Sequence, residues 1–221
     1  MVSKKVGIIV PMQEEWHALV SGTDVECGCG YARGRTKGGM PYVGIVSGIG
    51  KVNAAVTAYR LWKEFGCNHI LSFGCAEGSD YTVHVGDVIV GDEYMYWDVN
   101  CGSPNAVGQV RGYPETYLSD YEEWRFLDGY KHGLIATGDT FVESELIAGA
   151  IMQSLYPGHC PLALDMESAA IAQVCERHAI GFTSVRIISG SPLSGERTGK
   201  EFWLQKDKVL SELFVRFLDD N

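Results

Sequence analysis

Carboxylates and an arginine lie in or close after apolar segments of this sequence. Glu15 closely follows the run GIIVP, and Asp165 and Glu167 follow LAL. Arg186 lies inside the apolar run SVRIIS. Carboxylates held out of water act as general bases or bind hydroxyl groups, and a buried arginine needs a carboxylate partner. These residue types indicate a polar site for a small molecule, provided that the fold brings them together.

The pattern of apolar residues predicts that strands alternate with helices. Strands are predicted in KVGIIVPM, HILSFGCAEG, VGDVIVGDEYMYWDV (one long strand or a pair), KHGLIATGDTFV, LALD and FTSVRIISG, and helices in QEEWHALVSG, GKVNAAVTAYRLWKEFG, ESAAIAQVCERHAI and TGKEFWLQKDKVLSELFVRFLDD. A hairpin turns at KGGM, HILSFGCAEG runs into a glycine turn, and residues 100–132 are mostly loop. This order predicts an α/β fold with a mixed, mostly parallel twisted sheet. Its 221 residues suit one domain, 1–221, with ligands bound beyond the carboxyl ends of the strands.

Composition excludes several classes of partner. The net charge of −10 disfavours nucleic acid and anionic membranes. The first apolar run spans only about five residues, against roughly 7–15 in a signal peptide, so we expect a cytoplasmic protein. SGIGK at 47–51 lacks the spacing of a phosphate-binding loop, so its glycines indicate a strand–helix turn or close packing. CGC at 27–29 has no matching His/Cys pair, so we expect no metal. No motif indicates an organic cofactor either.

Seven segments in order from residue 7 to 189 resemble those of one family. They are GIIVPMQEE, SGIGKVNAA, FGCAEG, VGDVIVGDE, ATGDTF, LDMESAAIAQVC and VRIIS. Together they resemble the methylthioadenosine/S-adenosylhomocysteine nucleosidases of the nucleoside phosphorylase superfamily. The resemblance implies a nucleoside phosphorylase-like sheet, partly closed as a barrel and flanked by helices. It also implies a homodimer that hydrolyses the N-glycosidic bond of 5′-thio-substituted adenosines, so that the expected partner is a small purine nucleoside.

The resemblance assigns roles to three charged residues. Glu15 matches the glutamate that activates the attacking water, and Glu167 matches the one that binds the ribose hydroxyls. Arg186 matches an arginine near that water, with Glu15 as its candidate carboxylate partner. Without the resemblance, Glu15 and Glu167 would be read as carboxylates favouring a helix N-terminus, and Arg186 as part of an ion pair that serves only the structure.

Further positions match residues that contact substrate. Met166 matches a residue packed under the sugar, Phe141 an aromatic stacked on the base, and Val142 a residue whose backbone contacts the base edge. For all three, packing in the core is the alternative reading. The resemblance also assigns Cys75, Ala76 and Ser189 to substrate binding, and Phe202 or Trp203 could lie at the 5′ pocket.

The chain departs from the family pattern at three places. Where the family has an aspartate that protonates N7 of the leaving adenine, this chain has Gly190, and such an acid contributes roughly 10²–10⁴ in rate. The glycine turn reads GCAEG, so Cys75 replaces a hydroxyl and Glu77 replaces a small residue. Trp97-Asp98 replaces a His-Asp pair, and an aromatic that the family lends to the partner subunit is not found.

Three interpretations follow. In the first, the protein is a nucleosidase in which Ser189, Ser191, Glu77 or a water replaces the missing acid, or in which the base differs from adenine. In the second, it is a purine nucleoside phosphorylase, which PMQEEW and GCAEG disfavour because they lack the phosphate-binding arginines of those relatives. In the third, it is a catalytically impaired nucleoside-binding homologue.

Overall fold

The computed structural model describes residues 4–27, 30–196 and 199–221. Its strands are β1 Val6–Val10, β2 Glu26–Cys27, β3 Ala32–Arg35, β4 Pro41–Val46, β5 His69–Gly78, β6 Val88–Tyr96, β7 Tyr117–Leu118, β8 Lys131–Thr137, β9 Ala163–Asp165 and β10 Gly181–Gly190. Its helices are α1 Gln13–Leu19, α2 Lys51–Lys63, α3 Glu145–Leu155, α4 Ser168–His178 and α5 Lys200–Asp220.

Five of these strands close into a ring. The order is β10, β6, β8, β9 and β5, and β5 then pairs in parallel with β10. β1 extends the sheet from the other side of β5, followed by β4, β3 and β2. β1, β5 and β10 run parallel to one another, so their carboxyl ends lie at one edge of the sheet. This is the partly closed, helix-flanked sheet that the family resemblance implies.

The central strands are apolar because the sheet is covered on both faces. β1 is buried along its whole length, and β10 is buried from Phe182 to Gly190. α2 packs against α4, and α1 packs against α5. Helices on both sides of the strands thus hold the strand ends in fixed positions, which the site at that edge requires.

Three details differ from the sequence-based predictions. The segment GCAEG is the last half of β5 and not a turn, because it pairs with β10 and β9. β8 ends at Thr137, so Phe141 and Val142 lie in a loop. α3 was assigned to no element; its apolar residues are not confined to one face, since Leu146 and Ile147 are exposed.

Within the described ranges, no helix is long and apolar enough to cross a membrane. The cytoplasmic location stays a prediction. Part of CGC, residues 28 and 29, lies outside the described residues, so the interpretation of that motif is not tested. Elsewhere in the described chain, no group of three or more His, Cys, Asp or Glu side chains is arranged to hold a metal ion.

Candidate active site

A cavity lies at the carboxyl ends of β1, β5, β9 and β10. Its lining consists of Pro11, Met12, Glu15, Ile49, Cys75, Ala76, Glu77, Thr140, Phe141, Val142, Leu164, Asp165, Met166, Glu167 and Ser189. Beside it, a wider opening is lined by Glu77, Phe141, Glu143, Ser144, Glu145, Leu146, Gly190, Pro192, Gly195 and Glu196. We call Glu15, Asp165, Glu167 and Arg186 the arginine end, and Glu77, Phe141, Ser189 and Gly190 the open end.

Arg186 is fully buried beside the cavity and is paired with Asp165. Its Nε donates to Asp165 Oδ2 at 2.9 Å, and its Nη1 donates to Ser72 Oγ at 3.1 Å. Asp165 is held in turn by Thr137 Oγ1 at 2.6 Å. Burial alone would lower the pKa of Arg186, but the charges of the surrounding carboxylates raise it, so the guanidinium stays charged. The expectation that Glu15 is the direct partner of Arg186 was wrong, because Asp165 at the end of β9 reaches Nε first.

Glu15 lies in the first turn of α1 but is only 1 % exposed. Its Oε1 accepts a hydrogen bond from the Cys75 amide at 2.9 Å, and its Oε2 accepts one from the Met12 amide at 3.2 Å. Burial raises the pKa of Glu15, while the hydrogen bonds with Cys75 and the charge of Arg186 partly oppose this. A solvated first-turn glutamate is therefore excluded, and the carboxyl group has the environment of a general base.

Glu167 precedes α4 at the N-cap position and is 4 % exposed. Its Oε1 accepts a hydrogen bond from the Gly50 amide at 2.8 Å, and its Oε2 lies 3.9 Å from Arg186 Nη2. Burial and the neighbouring Asp165 raise the pKa of Glu167 to about 7. Gly50 has a φ of +99°, a conformation that glycine adopts readily. The turn predicted for SGIGK is present, and it also positions this carboxylate.

The apolar positions divide between the cavity and the core. Phe141 is 56 % exposed and lines both the cavity and the opening, so its ring is not a core residue. Met166 is half-buried and lines the cavity. Val142 also lines the cavity, but its side chain is 3 % exposed and belongs to a core cluster with Leu164. Of these three residues, only Val142 therefore has its side chain packed in the core.

At the open end, the Glu77 carboxylate occupies the space beside Gly190. The two residues are partners across β5 and β10, and a Cβ atom on Gly190 would overlap with Glu77 Oε2. Ser189 Oγ donates to Glu77 Oε1 at 2.7 Å. Burial raises the pKa of Glu77, the Ser189 hydroxyl opposes this, and the charge of Glu143 adds to the increase.

Most of the candidate residues named from the sequence thus lie on one cavity. Phe202 does not, because it is 3 % exposed within the core packed by α5, and Trp203 is not among the described lining residues. Sequence reasoning missed two contributors: Asp165 as the arginine's partner, and the Gly50 amide as a donor to Glu167. For Asp165, the sequence offered one local signal, its position at the end of a predicted strand. For the Gly50 amide it offered none.

The chain matches known proteins over nearly its full length. Residues 5–219 match the model of the phosphorylase superfamily. The chain is 34% identical over 212 residues to the 5′-methylthioadenosine/S-adenosylhomocysteine nucleosidase of Marinomonas sp., covering 89% of each chain. It is 35% identical over 217 residues to the corresponding nucleosidase of Geobacillus kaustophilus, covering 90% of this chain and 88% of the relative.

Solved structures agree with these matches. The S-adenosylhomocysteine nucleosidase of Streptococcus pyogenes, in complex with 5-methylthiotubericidin, superposes with a TM-score of 0.80 at 27% identity, covering 98% of each chain. The fold, the superfamily match and the relatives matched over most of their length thus agree on one family. The chain belongs to the 5′-methylthioadenosine/S-adenosylhomocysteine nucleosidase family, N-glycosidases of the phosphorylase superfamily.

Proposed function

We propose that this protein hydrolyses the N-glycosidic bond of 5′-methylthioadenosine and S-adenosylhomocysteine, with Glu15 activating the attacking water. The observation that carries the proposal is the pair of buried carboxyl groups, Glu15 and Glu167, on one cavity beside a charged arginine. The named activity of full-length relatives supports the choice of substrate.

Water activation rests on Glu15 and Arg186. Glu15 in its ionised form takes a proton from the water as the oxygen bonds to C1′ of the sugar. Arg186 Nη2 is buried and has no hydrogen-bond partner among the described residues. Buried donors are normally satisfied by protein or by water, so this N–H is suited to hold the same water.

Sugar binding rests on Glu167 and Met166. The ionised Glu167 carboxylate accepts hydrogen bonds from the ribose hydroxyls and stabilises positive charge that develops on the ring. Its elevated pKa means that the carboxyl group is only partly ionised near pH 7, and hydroxyl donors favour the ionised form. The thioether of Met166 packs under the sugar, a contact that suits a soft, apolar sulfur.

Base binding rests on Phe141, Val142 and Ser189. The exposed Phe141 ring offers a face for stacking on a purine. The backbone of Val142 follows in the same loop and can meet the base edge, although its side chain is packed in the core. Cys75, Ala76 and Ser189 complete the wall between the two ends of the cavity.

Hydrolysis is favoured over phosphorolysis by the charges of the cavity. Its described lining holds four acidic residues, Glu15, Glu77, Asp165 and Glu167, and no lysine or arginine. Arg186 beside it is already paired with Asp165. Phosphate would meet net negative charge, whereas a neutral water and a neutral nucleoside would not.

The test follows base release from methylthioadenosine, S-adenosylhomocysteine, adenosine and inosine, with and without phosphate. We expect adenine and the free thio-sugar from the first two substrates, at a rate independent of phosphate. Phosphate-dependent turnover with a sugar 1-phosphate as product would identify a phosphorylase. Tight nucleoside binding without any turnover would identify an impaired homologue, and either result would overturn the proposal.

We propose in addition that the chain forms a homodimer. Ile49 precedes α2, and Val52, Val56 and Tyr59 follow at helical spacing; all four are exposed, by 44–76%. Such a stripe beside the cavity supports an interface with a second copy. Light scattering on wild type should give about twice 24.2 kDa, and Val52→Asp with Val56→Asp should give the monomer mass.

A further inference from the structure

The open end offers three protein groups in place of the missing aspartate: Ser189, Ser191 and Glu77. Ser191 Oγ points to Ser194 Oγ at 3.2 Å and is not among the described lining of either cavity. Ser189 Oγ lies in hydrogen-bond range of the Ala76 carbonyl and of Glu77 Oε1. A serine hydroxyl is also a far weaker acid than a carboxyl group, so Ser189 is better suited to orient Glu77 than to protonate a base.

Glu77 fills the space that a side chain at position 190 would occupy. It extends from β5 toward Gly190, its partner across the sheet on β10. With Glu77 in this position, a Cβ at 190 would overlap with Glu77 Oε2 and lie 3.3 Å from Oε1, so any other residue there would require the Glu77 side chain to move. The two departures from the family pattern, the added glutamate and the lost aspartate, thus meet at a single point of the structure.

The two oxygens of Glu77 have different surroundings. Oε1 accepts the hydrogen bond of Ser189 Oγ at 2.7 Å, so a proton on the carboxyl group belongs on Oε2. No described residue donates a hydrogen bond to Oε2. Since Glu77 lines both the cavity and the opening, a base stacked on Phe141 would come within reach of this carboxyl group.

We propose that Glu77 is the general acid of this enzyme and replaces the absent aspartate by donating the Oε2 proton to N7 of the leaving adenine. The proposal rests on the proposed nucleosidase function. As water oxygen bonds to C1′, the C1′–N9 bond breaks and its electron pair passes to the purine, which takes the proton of Glu77 at N7. Glu15 gains one water proton, Glu77 becomes a carboxylate, and exchange with solvent restores both.

The described groups facing Glu77 favour its protonated form. No cation is found among the described residues that line either space around it. Burial and the Glu143 charge raise the pKa of Glu77, and the remaining titratable groups around it are Glu15, Cys75, Asp165 and Glu167 in the cavity and Glu145 and Glu196 at the opening. A carboxyl group without a neighbouring cation is a better proton donor at neutral pH than one that is ion-paired.

The test compares Glu77→Gln with wild type on two substrates. Glutamine keeps an acceptor for Ser189 but has no acidic proton. On methylthioadenosine, kcat should fall by about 10²–10⁴. On 4-nitrophenyl 5-methylthioriboside, whose leaving group departs without a proton, kcat should change by less than about threefold. Glu122→Gln, which removes an exposed carboxylate that lines neither the cavity nor the opening, should behave as wild type on both.

A double variant tests whether a carboxyl group at position 190 can replace the one at position 77. Glu77→Gly should lose activity on methylthioadenosine, and adding Gly190→Asp should restore at least about tenfold, because the carboxyl group then reaches the base from β10. Circular dichroism checks that each variant is folded. Equal losses on both substrates in Glu77→Gln would overturn the proposal, as would no loss on methylthioadenosine. If wild type itself cleaves neither substrate, the proposed nucleosidase function fails instead.

Discussion

At the arginine end of the cavity, Arg186 lies among three buried carboxyl groups, whereas at the open end Glu77 lies beside Ser189 and Glu143. Both ends are built on the carboxyl ends of neighbouring strands. At the arginine end, the buried Asp165 carboxyl group pairs with Arg186 Nε at 2.9 Å. At the open end, the described surroundings of Glu77 offer a hydroxyl and another negative charge.

The difference teaches that the neighbours of a buried glutamate, and not burial alone, set the balance between its protonated and ionised forms. Burial raises the pKa of Glu15, Glu167 and Glu77 alike. Arg186 opposes that increase for Glu15 and Glu167, which must lose their protons to act in the proposed roles of base and hydroxyl acceptor. Glu77 has no such cation among its described neighbours and suits the opposite role. Four variants test this contrast, from the largest expected effect to the smallest.

Glu15→Gln should reduce kcat on methylthioadenosine by about 10²–10⁴, because the amide cannot take a proton from water. The measurement is steady-state adenine release. Glu14→Gln removes the exposed neighbouring carboxylate and serves as the matched control, with kcat unchanged. A wild-type rate in Glu15→Gln would mean that the general base is not Glu15 at the arginine end.

Asp165→Asn should lower the free energy of unfolding by about 3–5 kcal/mol, since it leaves the fully buried Arg186 without its closest anionic partner. Urea denaturation measures the loss. Asp219→Asn breaks a pair with Lys37 whose side chains are 43% and 73% exposed, and should cost less than about 1 kcal/mol. Similar losses in the two variants would mean that the arginine end is not held by this ion pair.

Glu167→Gln should change how stability depends on pH. The pKa of Glu167 is about 7 in the folded state, against an ordinary value of 4.5. Because the folded pKa is the higher one, its stabilising contribution is present below pH 4.5 and is lost as pH rises to about 7. The loss amounts to about 3 kcal/mol, and it should vanish in Glu167→Gln when urea denaturation is repeated between pH 4.5 and 8. Glu176→Gln, exposed on the same helix, should keep the wild-type slope.

Glu143→Gln should shift the pH profile at the open end by less than about one unit. The charge of Glu143 raises the pKa of Glu77, so its removal lowers that pKa. An acid must hold its proton to act, and activity is lost as pH rises through its pKa. The alkaline limb of kcat on methylthioadenosine should therefore move to lower pH, while the acidic limb stays in place. A shift of the acidic limb alone would mean that the charge of Glu143 acts on the groups of the arginine end and not on Glu77.

Much of the fold follows from local signals. The signals of β1 and β10 are strong in the sequence because these strands are buried over many consecutive residues. The signals of α2 and α4 are strong because buried residues recur on one face of each helix. α3 was missed because Leu146 and Ile147 are exposed on it, which weakens the contrast between its faces. GCAEG was read as a turn because glycine usually breaks strands, yet pairing with β9 and β10 holds it extended.

The sequence by itself determined most of the order of strands and helices, the family, and which carboxyl groups stand at strand ends. The tertiary structure alone decided which groups meet: Arg186 pairs with Asp165 and not with Glu15, and Glu77 reaches the space left by Gly190. The physical reason is that a buried arginine can pair with any carboxylate that lies near it, so residue type alone does not identify the partner. Which groups come within hydrogen-bond distance depends on the strand register, and that register joins residues far apart in the sequence. Arg186 and Asp165 are 21 positions apart, and Ser189 and Glu77 are 112 positions apart.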